Sequence, residues 1–250
     1  MKIISETLIL VKRSLIRYTR VPQLLVFSTI QPVMFVILFA YVFGGAIKTS
    51  INYVDYLLPG ILVQTTLFGA MMTGIGLADD ISHGMIDRFR SLPMSRGAVL
   101  AGRTISDLLR NVFVIFLMVG VGYIIGYRFE GTFMGALGAL FLMLLFGFAF
   151  SWISALIGIA VKDVETAQSA GFIWVFPLAF ISSIFVPVEG MPKIFRLFAE
   201  NSPITYTVDA VRRFSVNQPV DYTFWASIIW LAAILITFIP LAVRQFRKIS

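Results

Sequence analysis

The chain has 250 residues, 58% of them hydrophobic and 13% charged, with a net charge of +7, one histidine and no cysteine. A soluble domain carries about twice that share of charge, and a chain of this length cannot hide so much apolar surface from water, so the class is integral membrane. The composition excludes disulfides, thiolate metal sites, a cysteine nucleophile and a His-rich metal centre, and the basic excess reads as membrane topology and contact with anionic lipids, not nucleic-acid binding.

Residues 1–20 contain "ISETLILVKRSLIRYT", apolar at helical spacing with Lys and Arg on the other face, which predicts an amphipathic helix in the cytoplasmic interface. Apolar runs then predict six transmembrane helices over 21–47, 56–78, 105–127, 131–161, 166–188 and 222–243, each uncharged except the third, which is uncharged only over 111–127. The first run is far longer than the core of a signal peptide, about 7–15 residues, so it stays as a span. The third run is short and borrows from Ile105–Leu109, whereas the fourth exceeds one crossing and tilts or projects. Segments such as "LGALFLMLLFGFAF" are apolar on every side, without the alternation of a membrane barrel, so the fold class is all-α. With the N-terminus in the cytoplasm, fourteen of the twenty Lys and Arg residues fall on that side and six on the other. Both termini are therefore expected to be cytoplasmic.

The loop over 79–103 lies on the basic side. Its "GMIDRFRSLPMSRG" sets Met85, Ile86, Phe89 and Leu92 on one short helical stripe that Pro93 ends. Such a helix could lie on lipid, connect two spans, or dock in a partner's groove. On the opposite side, the segment over 187–214 is too polar to span, and Pro187, Pro192 and Pro203 punctuate it into short helices. Asn201 or Ser202 suits the cap of the second, with Pro203 in its first turn, and Asp209 can pair with Arg212 or Arg213.

All thirteen acidic residues lie outside the six runs or at their edges, which argues against a proton relay, a carboxylate sodium site or intramembrane proteolysis. The nearest phosphate-loop look-alike, "GGAIKTS", has Ile47 where a glycine must precede the lysine. No catalytic residue, metal or cofactor is expected in this chain, and any nucleotide hydrolysis belongs to another. Twenty-four phenylalanines and ten methionines give the spans adaptable apolar surface. Uncharged polar groups within the runs, Gln31, Gln64, Thr65, Thr66 and Asn111, are candidates to line a pathway or to hold helices together. Gly122 and Gly126 stand at a small-xxx-small spacing that suits helix packing.

The six runs in order, "YLLPGILVQ" at Tyr56–Gln64, "GMIDRFRSLPMSRGAVLAGR" after the second run and "NSPITYTVDAVRRF" before the sixth resemble the membrane subunits of ABC-2 type exporters, over essentially the whole chain. "IDRFRSLPMSR" is most similar to the daunorubicin-resistance type of drug-efflux permease. The resemblance implies a homodimeric or pseudo-dimeric permease bound to two copies of a cytoplasmic ATPase subunit, which holds ATP and Mg, in the inner membrane of a prokaryotic cell. It implies that Gly84, Met85, Ile86, Asp87, Arg88, Phe89, Arg90, Ser91, Leu92 and Pro93 form a coupling helix docked in the ATPase. It makes the segment over 187–214 an external re-entrant hairpin whose signature residues are Asn201, Pro203, Tyr206, Asp209 and Arg212. The expected substrate is an amphipathic drug or hydrophobic metabolite. A lipid-linked glycan exporter shares this plan, and an ion-coupled carrier, a channel and a structural anchor are rivals of other classes.

Overall fold

A computed structural model describes Ile16 and residues 23–49, 51–84, 96–161 and 163–249. The expected interfacial helix over 1–20, Ile16 apart, and the loop residues Met85 to Pro93 lie outside the described residues. The described residues form helices without strands. They are α1 (Gln23–Ile37), which runs on into one π-helical turn at Leu38–Phe43, α2 (Tyr53–Ser82), α3 (Arg96–Ile125), α4 (Phe133–Val161), α5 (Val164–Phe180), α6 (Lys193–Glu200), α7 (Pro203–Ser215) and α8 (Tyr222–Ile249). Among the described residues, four stretches are long and apolar enough to cross a membrane: α2, Gly102–Ile125 of α3, α4, and Tyr222–Lys248 of α8.

Local chemistry sets the helix ends. Asn52 caps α2 by accepting from the Val54 amide (3.0 Å), and Asp163 caps α5 by accepting from the Thr166 amide (2.8 Å). Hydrogen bonds from Thr166 hold the exposed Asp163 carboxyl below the usual carboxylate range. Gly84 follows the end of α2 at φ +64° and Gly126 follows the end of α3 at φ +112°, a backbone that favours residues without Cβ. Gly126 therefore terminates a helix, while Gly122 supplies the packing: a Cβ there would meet Leu58 at 2.2 Å.

Several expected spans end elsewhere, the fifth and sixth by the most. The fifth, expected over 166–188, stops as a helix at Phe180. The Ile181 amide still donates to the Pro177 carbonyl (2.8 Å), but Ile181 itself has φ −93° and ψ 59°. The chain then turns through Ser182, Ser183, Ile184 and Phe185, all buried. Apolarity alone reads these residues as more helix; the polar partners that hold them otherwise lie far away in sequence. The sixth, expected to end at 243, continues to Ile249 with Arg247 and Lys248 in its last turn, where cations suit the helix dipole.

α2 is the central helix, buried on most of its surface. It runs parallel to α4, with the two backbones in contact through glycine: a Cβ on Gly158 would lie 2.0 Å from the Gly74 carbonyl oxygen, and one on Gly74 would lie 2.1 Å from that of Ser154. α3 runs antiparallel to α2 in a constant register that pairs Leu58 with Gly122, Gly69 with Asn111 and Gly76 with Arg103. α5 lays Gly171 on Met71 and Phe176 edge-on to Phe68 (5.6 Å), so it is also antiparallel to α2. α8 meets α2 and α4 through Leu77, Trp152, Ala155, Ile159, Ala242 and Phe246 at the Ser82 end, and α7 through a Thr207–Ser227 hydroxyl pair (2.7 Å) at the Tyr53 end. In α1, Phe39 stacks on Phe185 (4.4 Å). Thus α1, α3 and α5 run one way and α2, α4 and α8 the other. Large apolar side chains stay exposed on the outer helices, among them Met34, Tyr41, Ile173, Tyr222, Trp225 and Trp230.

The Gly74–Gly158 contact leaves no space for a side chain. Gly158→Leu is expected to lower stability by about 1–3 kcal/mol, read as a fall in the thermal midpoint of the purified protein. Gly120→Ala, at a helical position open on all sides, is the control and is expected to leave the midpoint equal or higher.

Candidate functional site

At the Tyr53 end, α7 lies across the broken end of α5 and the first turns of α2. Ser202 opens α7 by accepting from the Ile204 amide (3.2 Å), with Pro203 at the first helical position. Asn201 closes α6 instead, its Nδ2 donating to the Leu197 carbonyl (2.9 Å). The helical period then turns Arg212 inward, and only 7% of it remains exposed.

A guanidinium offers five N–H donors, and here each has an acceptor. Nε donates to the Tyr56 carbonyl (2.8 Å). Nη1 donates to Asp209 Oδ1 (2.9 Å) and Ser183 Oγ (3.2 Å). Nη2 donates to the carbonyls of Ser183 and Ile184. The plane also lies 3.5 Å from the centroid of the Tyr56 ring, a cation–π contact in a water-poor setting. Around this hub, the Tyr56 hydroxyl donates to the Ser183 carbonyl (3.0 Å) and the Tyr53 hydroxyl to that of Phe185 (2.9 Å). The Ser183 hydroxyl donates to Asp209 (2.8 Å), and its amide donates to Thr205 Oγ1 (3.2 Å). The segment passes flush against α2 at Gly60, where a Cβ would stand 2.3 Å from the Ile184 carbonyl oxygen.

This resolves the pairing left open by the sequence. Asp209 pairs with Arg212, while Arg213 pairs with Asp221 (3.2 Å). The pair is not the exposed surface pair that spacing suggests: the Arg212 side chain is 9% exposed, and Asp209 keeps 36%. Burial pushes the Asp209 carboxyl above the usual carboxylate range, against the opposing pull of Arg212 and the Ser183 hydroxyl. Of the five candidates on this side, Asp209 and Arg212 come together at the hub. Asn201 and Pro203 shape the turn between α6 and α7, and Tyr206 packs edge-on against Tyr222 (6.4 Å).

The pathway candidates divide. Gln31 is exposed on α1. Gln64, Thr65, Thr66 and Asn111 are buried. The hydroxyls of Thr65 and Thr66 donate to the Ile61 (2.7 Å) and Leu62 (2.9 Å) carbonyls of their own helix. Asn111 fits between Gly69 of α2 and Gly147 of α4: a Cβ on Gly69 would lie 2.3 Å from its Oδ1 and one on Gly147 3.2 Å from its Nδ2.

A second polar locus lies toward the Ser82 end. Asp107, 2% exposed, accepts from Thr73 Oγ1 (2.6 Å) and faces Arg103 and Arg110. By sequence Asp107 sits at the edge of the third run; in the fold it is a buried carboxylate. Sequence reasoning also passed over Tyr53, Tyr56 and Ser183. The available signals were the "SS" dip at Ser182 and Ser183, beyond Pro177, and the helical spacing of Arg103, Asp107 and Arg110. Among the described residues, no group of His, Cys, Asp and Glu could hold a metal ion.

Residues 5–214 match the ABC-2 type transporter family. The chain belongs to that family. It is 32% identical over 246 residues to the daunorubicin resistance ABC transporter permease protein DrrB1 of Streptomyces coeruleorubidus, covering 98% of this chain and 87% of that one. It is 24% identical over 249 residues to the probable doxorubicin resistance ABC transporter permease protein DrrC of Mycobacterium tuberculosis, covering 98% and 89%. It is 21% identical over 201 residues to the probable multidrug ABC transporter permease YbhR of Escherichia coli, covering 80% and 54%. This ABC-2 permease is thus a multi-pass membrane protein of the transport type, with a buried arginine at one end of its central helix and a buried aspartate toward the other.

Arg212→Ala is expected to destabilise the permease by about 3 kcal/mol, because it strands Asp209 and several carbonyls together. Arg212→Lys keeps the charge but loses the planar fork, so it is expected to recover less than half of that loss. Thermal unfolding in lipid nanodiscs measures both, and equal stability of all three proteins would refute the hub.

Proposed function

We propose that the chain is the membrane-spanning subunit of an ATP-driven exporter of amphipathic drugs or other hydrophobic metabolites. The observation that carries this reading is the relationship to DrrB1 over 98% of the chain, a relative whose name states daunorubicin resistance. Family membership and the helix directions support the rest. In this reading α1 with its π turn, α2, α3, α4, α5 and α8 cross the membrane six times, with both termini cytoplasmic, as alternating directions allow and the Lys and Arg distribution favours. The Tyr53 end is then external. The protein works as a homodimer in the inner membrane of a prokaryote, bound to two copies of a cytoplasmic ATPase subunit that carries ATP and Mg.

The loop between α2 and α3 is the coupling element. Ile86, Phe89 and Leu92 anchor it in the ATPase, while Asp87, Arg88 and Arg90 set register and partner choice. On the external side, α6, α7 and the turn over 181–186 close the pathway, with Arg212 holding them to α2. The exposed apolar faces of α1 and α5 meet a second copy, and Gln31, exposed on α1, is positioned to reach the pathway between them.

Reconstitution tests this reading. Vesicles containing the permease and its cognate ATPase should accumulate daunorubicin only with ATP and Mg. Phe89→Asp combined with Leu92→Asp should abolish co-purification of the ATPase, while the variant still inserts at wild-type levels. Flux that follows a proton gradient without nucleotide would overturn the reading.

A further inference from the structure

α2 and α3 make one antiparallel hairpin, and its character changes along its length. Near the Tyr53 end the contact is apolar, Leu58 on Gly122. Near the Ser82 end it is ionic. Arg103 Nη1 lies 3.3 Å from Asp80 Oδ2, Arg103 Nε lies 3.6 Å from Asp107 Oδ2, and Arg110 Nη1 lies 3.8 Å from Asp107 Oδ1. The Asp107 side chain is 3% and that of Arg110 10% exposed.

Asp107 and Arg110 grip a single turn of α2 from both ends. Thr73 Oγ1 donates to Asp107 (2.6 Å), while Arg110 Nη2 donates to the carbonyl of Gly69, four residues earlier (2.9 Å). Glycine makes the approach possible, because a Cβ on Gly69 would strike Asn111 and one on Gly76 would strike Arg103. Burying two ion pairs is a poor way merely to fasten helices, since apolar side chains of similar volume often do as well or better. What the ionic contact adds is register. Packed apolar helices can slide by a turn, whereas a slide here would take Asp107 from Thr73 and Arg103 from Asp80.

We infer that Asp107 is a positioning residue for transport: with Arg103, Arg110 and Thr73 it joins the two stems of the 83–95 loop into one rigid lever. This rests on the coupling reading given above. A displacement at the loop then moves α2 as a unit. That helix has 30 residues and a length of about 45 Å, and at its far end Arg212 holds the Tyr56 carbonyl. Without the clamp, α2 and α3 splay under load, and less transport follows each hydrolysis.

The chain has no cysteine, so label pairs can be added without removing any native residue. Nitroxides at Ser82→Cys and Ile105→Cys, both exposed positions, report the stem separation by pulsed electron resonance in nanodiscs. The wild-type clamp should give one narrow distance that ATP with the ATPase leaves unchanged. Asp107→Asn should broaden it, and drug transported per ATP hydrolysed should fall roughly 2- to 30-fold, the range of such coupling effects, while ATPase co-purification and hydrolysis persist. Thr73→Val, which removes only the hydroxyl, should lower the ratio less, and it decides the matter where Asp107→Asn fails to insert. A stem distance that shifts with ATP in the wild type, or variants with unbroadened distances and wild-type coupling, would overturn the inference. A wild-type chain that captures no ATP-binding subunit would instead overturn the coupling reading. The stem distance, measured on the permease alone, would still decide whether Asp107 clamps the hairpin.

Discussion

A guanidinium withdrawn from water must find a partner for each of its five N–H groups, or its burial costs several kcal/mol. Arg212 meets that demand with three backbone carbonyls, one hydroxyl and one carboxylate. The constraint runs in both directions. The carbonyls of Ser183 and Ile184 are available because the chain leaves the helix after Phe180, and the chain can leave the helix there because those carbonyls are satisfied. The tyrosines at the start of α2 complete the set. One cation thereby organises the ends of three helices, and the remaining packing at that end depends on its position.

The central helix is built to be gripped rather than to slide. Its Gly74 lies against α4 backbone to backbone, its Gly69 and Gly76 admit side chains from α3, and its first turns are tied to the Arg212 hub. Close approach of this kind gives interdigitated contact where no hydrophobic driving force acts between helices in lipid. The helices around it are different. α1, α5 and α8 keep large apolar side chains exposed, so adaptable surface surrounds a stiff centre.

Much of this was legible in the sequence because hydrocarbon thickness imposes a length that apolar runs must match. The helical class, the order of the runs and the short helices between the fifth and sixth runs all follow from it. Asp209 and Arg212 were also visible, but as an i,i+3 pair on a surface. Their other partner, the Tyr56 carbonyl, lies 156 residues from Arg212 along the chain, and local spacing carries no trace of it. The end of α5 was hidden for the same reason, since Ile184 and Phe185 are as apolar as any helix would need. Asp107 passed as one of the acids at the edge of a run, because its burial depends on glycines in another helix that make room for α3. Thr65 and Thr66 could have been read further: adjacent residues on a helix point about 100° apart, so they do not share one face.

The Arg212 hub also bears on how such a site diverges among relatives. It addresses main-chain oxygens at 183 and 184, and Tyr53 addresses the one at 185. Every amino acid carries that oxygen, so the side chains at 184 and 185 can be exchanged over evolutionary time while these main-chain bonds persist, whereas Ser183 also lends its hydroxyl to Arg212. The arginine has no such latitude, because no other side chain presents a five-donor planar fork. Drift should therefore accumulate on one partner of the contact and leave the other nearly untouched.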